Sequence, residues 1–243
     1  RMFYNQSFPD AVTMLLGGEQ GEAYRESMEQ EQEPKKPFIL PEANRTMHRA
    51  FAYLVKTRCL DPKVVSVFAR RHMIYEDAKY HNAVFVGFDV DGIPRHAHKR
   101  GTCQRGKPFK GNVESCDPRY SFHWIGKSDT VYVFEAPIDM LSFISMYQKD
   151  WMGHSYVALC GVAEHALVQL LEDVPHLSKI TLCLDHDKAG IEAGERIKKR
   201  LSERYRNVFP LFSCQKDWNE DLQALQKPPP EFVAECQTVT QMM

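Results

Sequence analysis

Two acidic segments decide the interpretation of this sequence: FEAPID at residues 134–139 and LDHDKAG at residues 184–190. Each follows an apolar run that is typical of a buried strand, residues 130–134 and residues 180–184. Helix-like sequence follows both segments, which predicts two parallel strands. The carboxyl ends of parallel strands meet at one edge of a sheet, where such sheets bind ligands. We therefore expect three carboxylates to converge there, those of Glu135, Asp185 and Asp187.

A shared acidic site predicts a metal ion. Carboxylates brought close together repel one another and stay ionised only if a cation neutralises them. All-oxygen ligands suit Mg²⁺, with Mn²⁺ as the alternative. Asp185 and Asp187 are two residues apart and would face the same side of an extended strand. Glu135 would bind the ion or, if its neighbours keep it protonated, exchange protons. Such a site acts on phosphate, which indicates phosphoryl or nucleotidyl transfer.

The rest of the second half of the chain alternates regularly between strand and helix patterns. Strands are predicted at residues 130–134, 155–160, 180–184 and 207–212, and helices at 137–149, 162–172 and 188–205. This order predicts an α/β fold with a mostly parallel sheet and helices on both of its faces.

The first half has a different pattern and predicts a smaller α+β domain. Residues 42–74 show helical spacing, broken by a helix start at Asp61-Pro62, and residues 83–98 are typical of a hairpin. The predicted domain organisation has four parts: an N-terminal helix and polar linker at 1–36, the α+β domain at 37–127, the acidic α/β domain at 128–225, and a tail at 226–243.

The charge balance excludes a global attraction to nucleic acid. The chain of 243 residues has 31 Lys and Arg against 32 Asp and Glu, which leaves a net charge of −1. Any binding to nucleic acid must therefore use local patches. No apolar run approaches the roughly 20 residues that span a bilayer, and no signal-peptide pattern begins the chain. We expect a cytoplasmic protein that makes no membrane contact.

One local patch of basic residues covers the end of the predicted hairpin and the loop that follows it, at residues 95–110. It includes Phe109 and could follow a nucleic-acid backbone, although a solvated loop explains the same pattern. Lys188 follows Asp187 directly and could contact a phosphate as a point charge. The basic residues of the patch are Arg95, Lys99, Arg100, Arg105, Lys107 and Lys110.

The acidic motifs resemble the Toprim domain of bacterial primases, topoisomerases and some nucleases. The resemblance covers roughly residues 128–225 and is closer to the primase branch. It rests on a Glu-x-x-x-Asp pattern, an Asp-x-Asp-x-Ala-Gly pattern and a third acidic segment. The matching residues are Glu135, Asp139, Asp185, Asp187, Ala189, Gly190 and Asp217.

The upstream half also resembles a known family. Residues 40–128 are similar to a domain of unknown function that precedes a Toprim-like domain in proteins of plasmids and conjugative elements. The segments that carry this resemblance are RAFAYL at 49–54, VFVG at 84–87 and HAHKRGT at 96–102. Residues 7–16 resemble the stretch that follows the zinc ribbon of primase-like proteins, which implies a zinc module upstream of Arg1.

The resemblance implies a bacterial DNA primase-like protein that uses Mg²⁺ in the replication or mobilisation of a mobile element. Single-stranded DNA and nucleotides would be its ligands, and a replicative helicase is an expected partner. Asp217 would join Glu135, Asp185 and Asp187 as a metal ligand, and Asp139 and Asn219 would support them. Primases usually carry a second aspartate where this chain has Asn219, which weakens the expectation of a second metal.

Three alternatives stay open at this point. A Toprim nuclease or topoisomerase would cleave the DNA backbone, although no tyrosine stands out as the nucleophile that a topoisomerase needs. A non-enzymatic module would bind nucleic acid or a replication partner without turnover. A phosphatase with an aspartate nucleophile would leave Glu135 without a role.

Overall fold

The two acidic segments follow neighbouring strands of one sheet in the computed structural model, which describes residues 36–103, 109–161 and 163–226. The described residues from Phe38 onward belong to one compact unit. Its strands are β1 Ile74–Glu76, β2 Ala83–Phe88, β3 Pro94–Arg100, β4 Lys110–Asn112, β5 His123–Trp124, β6 Thr130–Phe134, β7 Ser155–Ala158, β8 Lys179–Leu182 and β9 Asn207–Pro210. Its α-helices are α1 His48–Ala52, α2 Pro62–Arg70, α3 Pro137–Met146, α4 His165–Asp173, α5 Lys188–Leu201 and α6 Trp218–Gln226.

The strands form two sheets. The first is antiparallel, with the order β1-β2-β3-β4. The second has the order β5-β7-β6-β8-β9, in which β5 is antiparallel to β7 and the other pairs are parallel. The predicted hairpin is therefore β2 and β3, and the predicted parallel sheet is confirmed.

Alternation along β6 explains why helices cover both faces of the parallel sheet. Val131 and Val133 point into a core formed with α4 and α5. Tyr132 and Phe134 point to the opposite face, against a core that includes α3 and α6. This second core also contains residues from α1, α2 and β2, so the two sheets share it.

The upstream helical region is shorter than the sequence predicts. Residues 42–47 precede the first helix, and α1 continues into a π-helical turn at Tyr53–Thr57. The predicted start at Asp61 is confirmed, because its carboxylate accepts hydrogen bonds from the backbone N–H groups of Lys63 and Val64. The prediction of helix through residue 74 is wrong at its end, since Ile74 pairs with Phe85 in the antiparallel sheet.

Several predicted elements also end earlier in the structure. β7 ends at Ala158 rather than at residue 160, since Cys160 has a positive φ of 55° that takes it out of the strand conformation. Helix α5 ends at Leu201 and α3 at Met146. The predicted N-terminal helix and linker, and the tail from residue 227, lie outside the described residues. Among the described helices, none combines the length and apolar character needed to cross a membrane.

Candidate functional site

A cavity of about 420 Å³ brings the acidic residues of three chain segments together. Glu135 lies directly after β6, Asp185 lies three residues after the end of β8, and Asp217 directly precedes α6. All three line this cavity, together with Asp139 from the first turn of α3. The structure therefore places residues 135 and 185 in one pocket, as the parallel arrangement of β6 and β8 requires.

Burial and neighbouring negative charges raise the pKa of three carboxyl groups in the cavity, those of Glu135, Asp139 and Asp185. Burial raises the pKa of Asp185 to about 7, and the charges of Glu135 and Asp217 add to this effect. Burial also raises the pKa of Glu135, with Asp187 as the largest charge contribution. The pKa of the buried Asp139 lies well above its ordinary value, because of burial first and the charge of Asp217 second. Such mutual repulsion favours a bound cation.

One carboxylate oxygen of Asp185 is buried without a described hydrogen-bond donor. Oδ1 of Asp185 is buried and has no hydrogen-bond partner in the described part of the chain. Buried carboxylate oxygens normally accept hydrogen bonds, so an oxygen without a donor fits a cation. Within the described ranges, however, no three His, Cys, Asp or Glu side chains are arranged to enclose an ion by themselves. This open arrangement is compatible with Mg²⁺, which commonly binds one or two carboxylates together with waters and substrate phosphates.

Asp187 has a different position from Asp185. Its Oδ1 accepts the Gly190 N–H at 3.0 Å and so caps helix α5, and this hydrogen bond lowers its pKa. Its Oδ2 lies 3.6 Å from Nζ of Lys216. Asp187 is not among the residues that line the cavity, although its charge still raises the pKa of Asp185. Both aspartates follow the end of β8, so strand alternation does not make them face the same way.

The segment that contains Asp185 packs closely against the start of α5. A Cβ atom added at Gly190 would lie 2.1 Å from the backbone oxygen of Asp185. Only glycine allows this approach, which lets the turn from β8 into α5 stay tight. Gly190 of the motif thus has a structural reason in this chain.

Asp217 and Asp139 are held by backbone groups of α6. Oδ1 of Asp217 accepts the N–H of Glu220 at 2.8 Å, so this carboxylate caps the helix at the cavity wall. Oδ1 of Asp139 accepts the N–H of Asn219 at 3.3 Å. Helices α3 and α6 therefore fix the two carboxylates relative to each other.

Asn219 lies in the cavity wall and is held there by four hydrogen bonds of its side-chain amide. Its side-chain amide donates to the Arg58 backbone oxygen at 2.8 Å and to the Ser142 hydroxyl at 2.9 Å. Its Oδ1 accepts from Nη1 of Arg58 at 3.2 Å and from Nε2 of Gln223 at 3.0 Å. Because this oxygen already has two donors, Asn219 fits the predicted supporting role rather than that of a ligand.

The basic residues of the cavity are only partly those that the sequence singles out. Arg100 and Lys110, which the sequence singles out, line it, and so do two residues that sequence reasoning missed, Arg58 and Lys216. Arg58 lies one residue beyond the π-helical turn, and Lys216 directly precedes the predicted Asp217. The signal for Lys216 was thus its position beside an acidic motif.

Other predicted basic residues lie elsewhere. Arg95 pairs with Asp89 at 2.7 Å, outside the cavity lining. Lys188 is highly exposed and lies 3.9 Å from Glu192. Lys99 is stacked over the Phe109 ring at 5.5 Å. Arg105 and Lys107 fall outside the described residues.

A hydrogen-bonded chain links the first sheet to the loop after β7 at the cavity. Nδ1 of His98 lies 2.7 Å from Oδ1 of Asn112, and the Asn112 amide donates to the Cys160 backbone oxygen at 3.3 Å. Burial lowers the pKa of His98, which keeps the ring neutral. His98, Asn112 and Cys160 all line the cavity, so its walls come from both sheets.

Comparison with known proteins agrees with this architecture. Residues 132–222 match the family described as Toprim-like, and residues 52–128 match a protein of unknown function, DUF3991. An uncharacterized protein of Bacillus anthracis is 25% identical over 246 residues, which cover 91% of this chain and 70% of that protein.

Solved structures share the fold. The primase fragment of the bacteriophage T7 primase-helicase protein has a TM-score of 0.56 at 18% identity and covers 80% of this chain and 79% of its own. A second similar structure is the complex of bacteriophage T7 lagging-strand DNA polymerase with primase domains bound to an RNA/DNA hybrid and dTTP. Its matching chain has a TM-score of 0.51 at 18% identity, and the match covers 68% of this chain and 81% of that chain.

The sequence families, the fold and the acidic cavity agree with one another: this chain carries a Toprim-like domain, and a domain of the DUF3991 family precedes it.

Proposed function

We propose that this protein is a Mg²⁺-dependent, primase-like nucleotidyltransferase that acts on single-stranded DNA. One observation carries the proposal: acidic side chains with raised pKa and basic side chains line the same cavity at the carboxyl edge of a parallel sheet. Acidic groups would hold the cation, and basic groups would hold the anionic substrate. The primase fold of the solved relatives supports this reading.

Asp185 and Asp217 are the residues that would hold Mg²⁺, with Asp187 at the edge of the site, and Glu135 would stay off the ion as the proton acceptor. When bound there, Mg²⁺ would neutralise charge on phosphate oxygens and polarise them. Asp139 and Asn219 would keep these carboxylates in place through the contact between α3 and α6. Mn²⁺ has the same preference for oxygen ligands and is expected to substitute.

The protein's own groups would do the remaining chemistry. Nucleotidyl transfer joins a hydroxyl oxygen to the α-phosphorus of a nucleotide, releases pyrophosphate and frees the hydroxyl proton. Glu135 would accept that proton on its carboxylate, because its raised pKa brings it closer to neutral pH. Arg100, Lys110 and Lys216 would bind phosphate groups that enter the cavity.

The upstream sheet would guide the template. β3 and β4 carry Arg100 and Lys110 into the cavity, and Lys99 with Phe109 offers a cation beside an aromatic ring on the same sheet. A basic surface with an exposed aromatic ring suits single-stranded nucleic acid. One structure with this fold is part of a primase-helicase protein, which supports a replicative helicase as a partner of this chain.

Primer synthesis tests the proposal. The chain is incubated with single-stranded circular DNA, labelled nucleotides and Mg²⁺, and the labelled products are separated by size. We expect Asp185→Asn to lower product formation by about two orders of magnitude, since it removes a charge that would hold the cation. Asp173→Asn, at the end of α4 and outside the cavity, is the matched control.

Other outcomes would reject the proposal. Equal product with Asp185→Asn and the wild type would remove the mechanism. Nicking of supercoiled plasmid without primer synthesis would indicate a nuclease. DNA binding that survives EDTA, with no turnover of any substrate, would indicate a binding module.

A further inference from the structure

Two arginines of the cavity share one hydrogen-bond acceptor that lies behind them. Arg58 comes from the end of the π-helical turn and Arg100 from the end of β3, and both line the cavity. Nε of Arg58 donates to the Tyr53 hydroxyl at 2.8 Å, and Nε of Arg100 donates to the same oxygen at 3.3 Å. A tyrosine hydroxyl can accept in this way from two charged donors, so one oxygen fixes both guanidinium groups.

The π-helical turn explains how Tyr53 reaches Arg58. The backbone N–H of Arg58 donates to the Tyr53 carbonyl at 3.0 Å, a separation of five residues. This spacing places the Arg58 guanidinium 5.4 Å from the centre of the Tyr53 ring. Tyr53 itself is only 6% exposed, belongs to the shared core and is not part of the cavity lining. It is therefore rigidly placed behind the two arginines.

The arrangement leaves the arginine charges available to an anion. Their described hydrogen bonds go to neutral acceptors, the Tyr53 hydroxyl and Oδ1 of Asn219. Within the described ranges, neither guanidinium forms an ion pair with a carboxylate. With each Nε held by Tyr53 and Nη1 of Arg58 held by Asn219, both terminal nitrogens of Arg100 and Nη2 of Arg58 remain for contacts with phosphate oxygens.

We propose that Tyr53 is a positioning residue that holds Arg58 and Arg100 together as one phosphate-binding unit for the polyphosphate of the nucleotide. This inference rests on the proposed nucleotidyl transfer and assigns the part of the cavity that faces the leaving phosphates. Tyr53 acts through the arginines and does not contact the substrate. Loss of its hydroxyl removes the acceptor of both Nε groups, so the two guanidinium groups lose their common anchor and must be ordered further when the ligand binds.

Tyr53→Phe tests the inference because it removes the hydroxyl and keeps the buried ring. The matched control is Tyr75→Phe, which removes a hydroxyl that donates to the Pro41 backbone oxygen at 2.6 Å, outside the cavity. Binding of inorganic tripolyphosphate is measured by calorimetry without DNA, at a temperature where circular dichroism shows both variants folded. We expect about tenfold weaker binding with Tyr53→Phe and a value near wild type with Tyr75→Phe.

A double-mutant cycle separates positioning from general structural damage. If Tyr53 acts through the arginines, Tyr53→Phe should have no further effect on tripolyphosphate binding in a chain that carries Arg58→Gln and Arg100→Gln. In primer synthesis, Tyr53→Phe should raise the KM for nucleotides more than it lowers kcat, since the contact is present in both ground and transition states.

The results also separate this inference from the proposed function. Wild-type binding of tripolyphosphate that depends on Tyr53, without primer synthesis, would keep the inference and reject the proposed reaction. Primer synthesis by the wild type, together with unchanged tripolyphosphate binding in Tyr53→Phe, would keep the proposed reaction and reject the inference. The role of Tyr53 would be overturned if the wild type did not bind tripolyphosphate. It would also be overturned if Tyr53→Phe weakened this binding equally in the chain that carries Arg58→Gln and Arg100→Gln.

Discussion

At the scale of single residues, Asp185 carries the clearest electrostatic cost of the site. It combines an oxygen that lacks a described hydrogen-bond partner with a pKa of about 7, against an ordinary value of 3.8. A carboxylate of this kind does little for the stability of the metal-free protein. Its placement is better explained by a ligand, because a cation would satisfy the oxygen and relieve the repulsion from Glu135 and Asp217.

The raised pKa of Asp185 predicts a pH dependence of folding. Between pH 4 and pH 7 the folded state keeps a proton on Asp185 that the unfolded chain has lost, so rising pH favours unfolding in this window. We expect the free energy of unfolding, measured with urea in EDTA, to fall more steeply from pH 4 to pH 7 in the wild type than in Asp185→Asn. Asp173→Asn should keep the wild-type slope, and parallel curves for wild type and Asp185→Asn would contradict the assignment.

Side-chain contacts also distinguish the roles of Asp187 and Asn219. Asp187 caps α5 and pairs with Lys216, so it contributes charge to the site from outside the cavity lining. Its assignment as a metal ligand stays a prediction, as do those of Glu135, Asp185 and Asp217. Asn219 has both ends of its amide hydrogen-bonded, which explains why a polar side chain is stable at this buried position.

At the scale of elements, the turn from β8 into α5 presents Asp185 to the cavity. It is tight because Gly190 lies against the backbone oxygen of Asp185. The helix begins at once, with Asp187 as its N-cap. The acidic motif is thus a single strand–turn–helix unit. Gly190 allows the tight turn, and Asp187 caps the helix in addition to contributing negative charge.

Two glycines of α5 provide a matched pair of substitutions. Gly190→Ala should displace the Asp185 segment, because the new Cβ would lie 2.1 Å from a backbone oxygen. We expect a loss of about 1–3 kcal/mol in the free energy of unfolding, together with loss of Mg²⁺-dependent primer synthesis. Gly194→Ala should instead stabilise the same helix by up to about 1 kcal/mol, since its new Cβ meets only the Leu184 side chain at 3.9 Å. Equal behaviour of the two variants would contradict this account of the turn.

At the scale of the whole molecule, the cavity lies where the two sheets meet. Its acidic residues follow strands of the parallel sheet, whereas Arg100 and Lys110 belong to the antiparallel sheet. His98 and Asn112 connect the two sheets through the Cys160 backbone oxygen. Cation-binding and anion-binding groups are therefore supplied by different parts of the fold. The predicted division into domains at residues 37–127 and 128–225 stays a prediction.

A bound cation should stabilise the whole molecule. A ligand that binds only the folded state raises the melting temperature with its concentration. We expect millimolar Mg²⁺ or Mn²⁺ to raise the melting temperature of the wild type and of Asp173→Asn, measured by differential scanning calorimetry at pH 8. Asp185→Asn should lose most of this shift. The same increase in all three proteins would place the binding of the cation elsewhere.

The sequence alone determined the parallel sheet and the meeting of its acidic ends. The apolar run of β6 was predicted at residues 130–134, where the structure has it, because alternate side chains must be buried on two faces. Two parallel strands followed by acidic residues place those residues at one edge, whatever the remaining details of the fold. The apolar run and the acidic residues that follow it are neighbours in the sequence, so a sequence pattern is enough to predict them.

Only the tertiary structure decided which basic residues face the acidic ones. Arg58 reaches Asn219 across 161 positions of sequence, and Tyr53 reaches Arg100 across 47. The π-helical turn, the end of β7 at Ala158 and the position of Lys216 likewise depend on packing between distant segments. Side-chain periodicity reports which face of an element is buried, but it does not report which other element covers that face. The packing of the two sheets therefore decides which basic residues lie beside the acidic ones, and the sequence pattern does not contain this information.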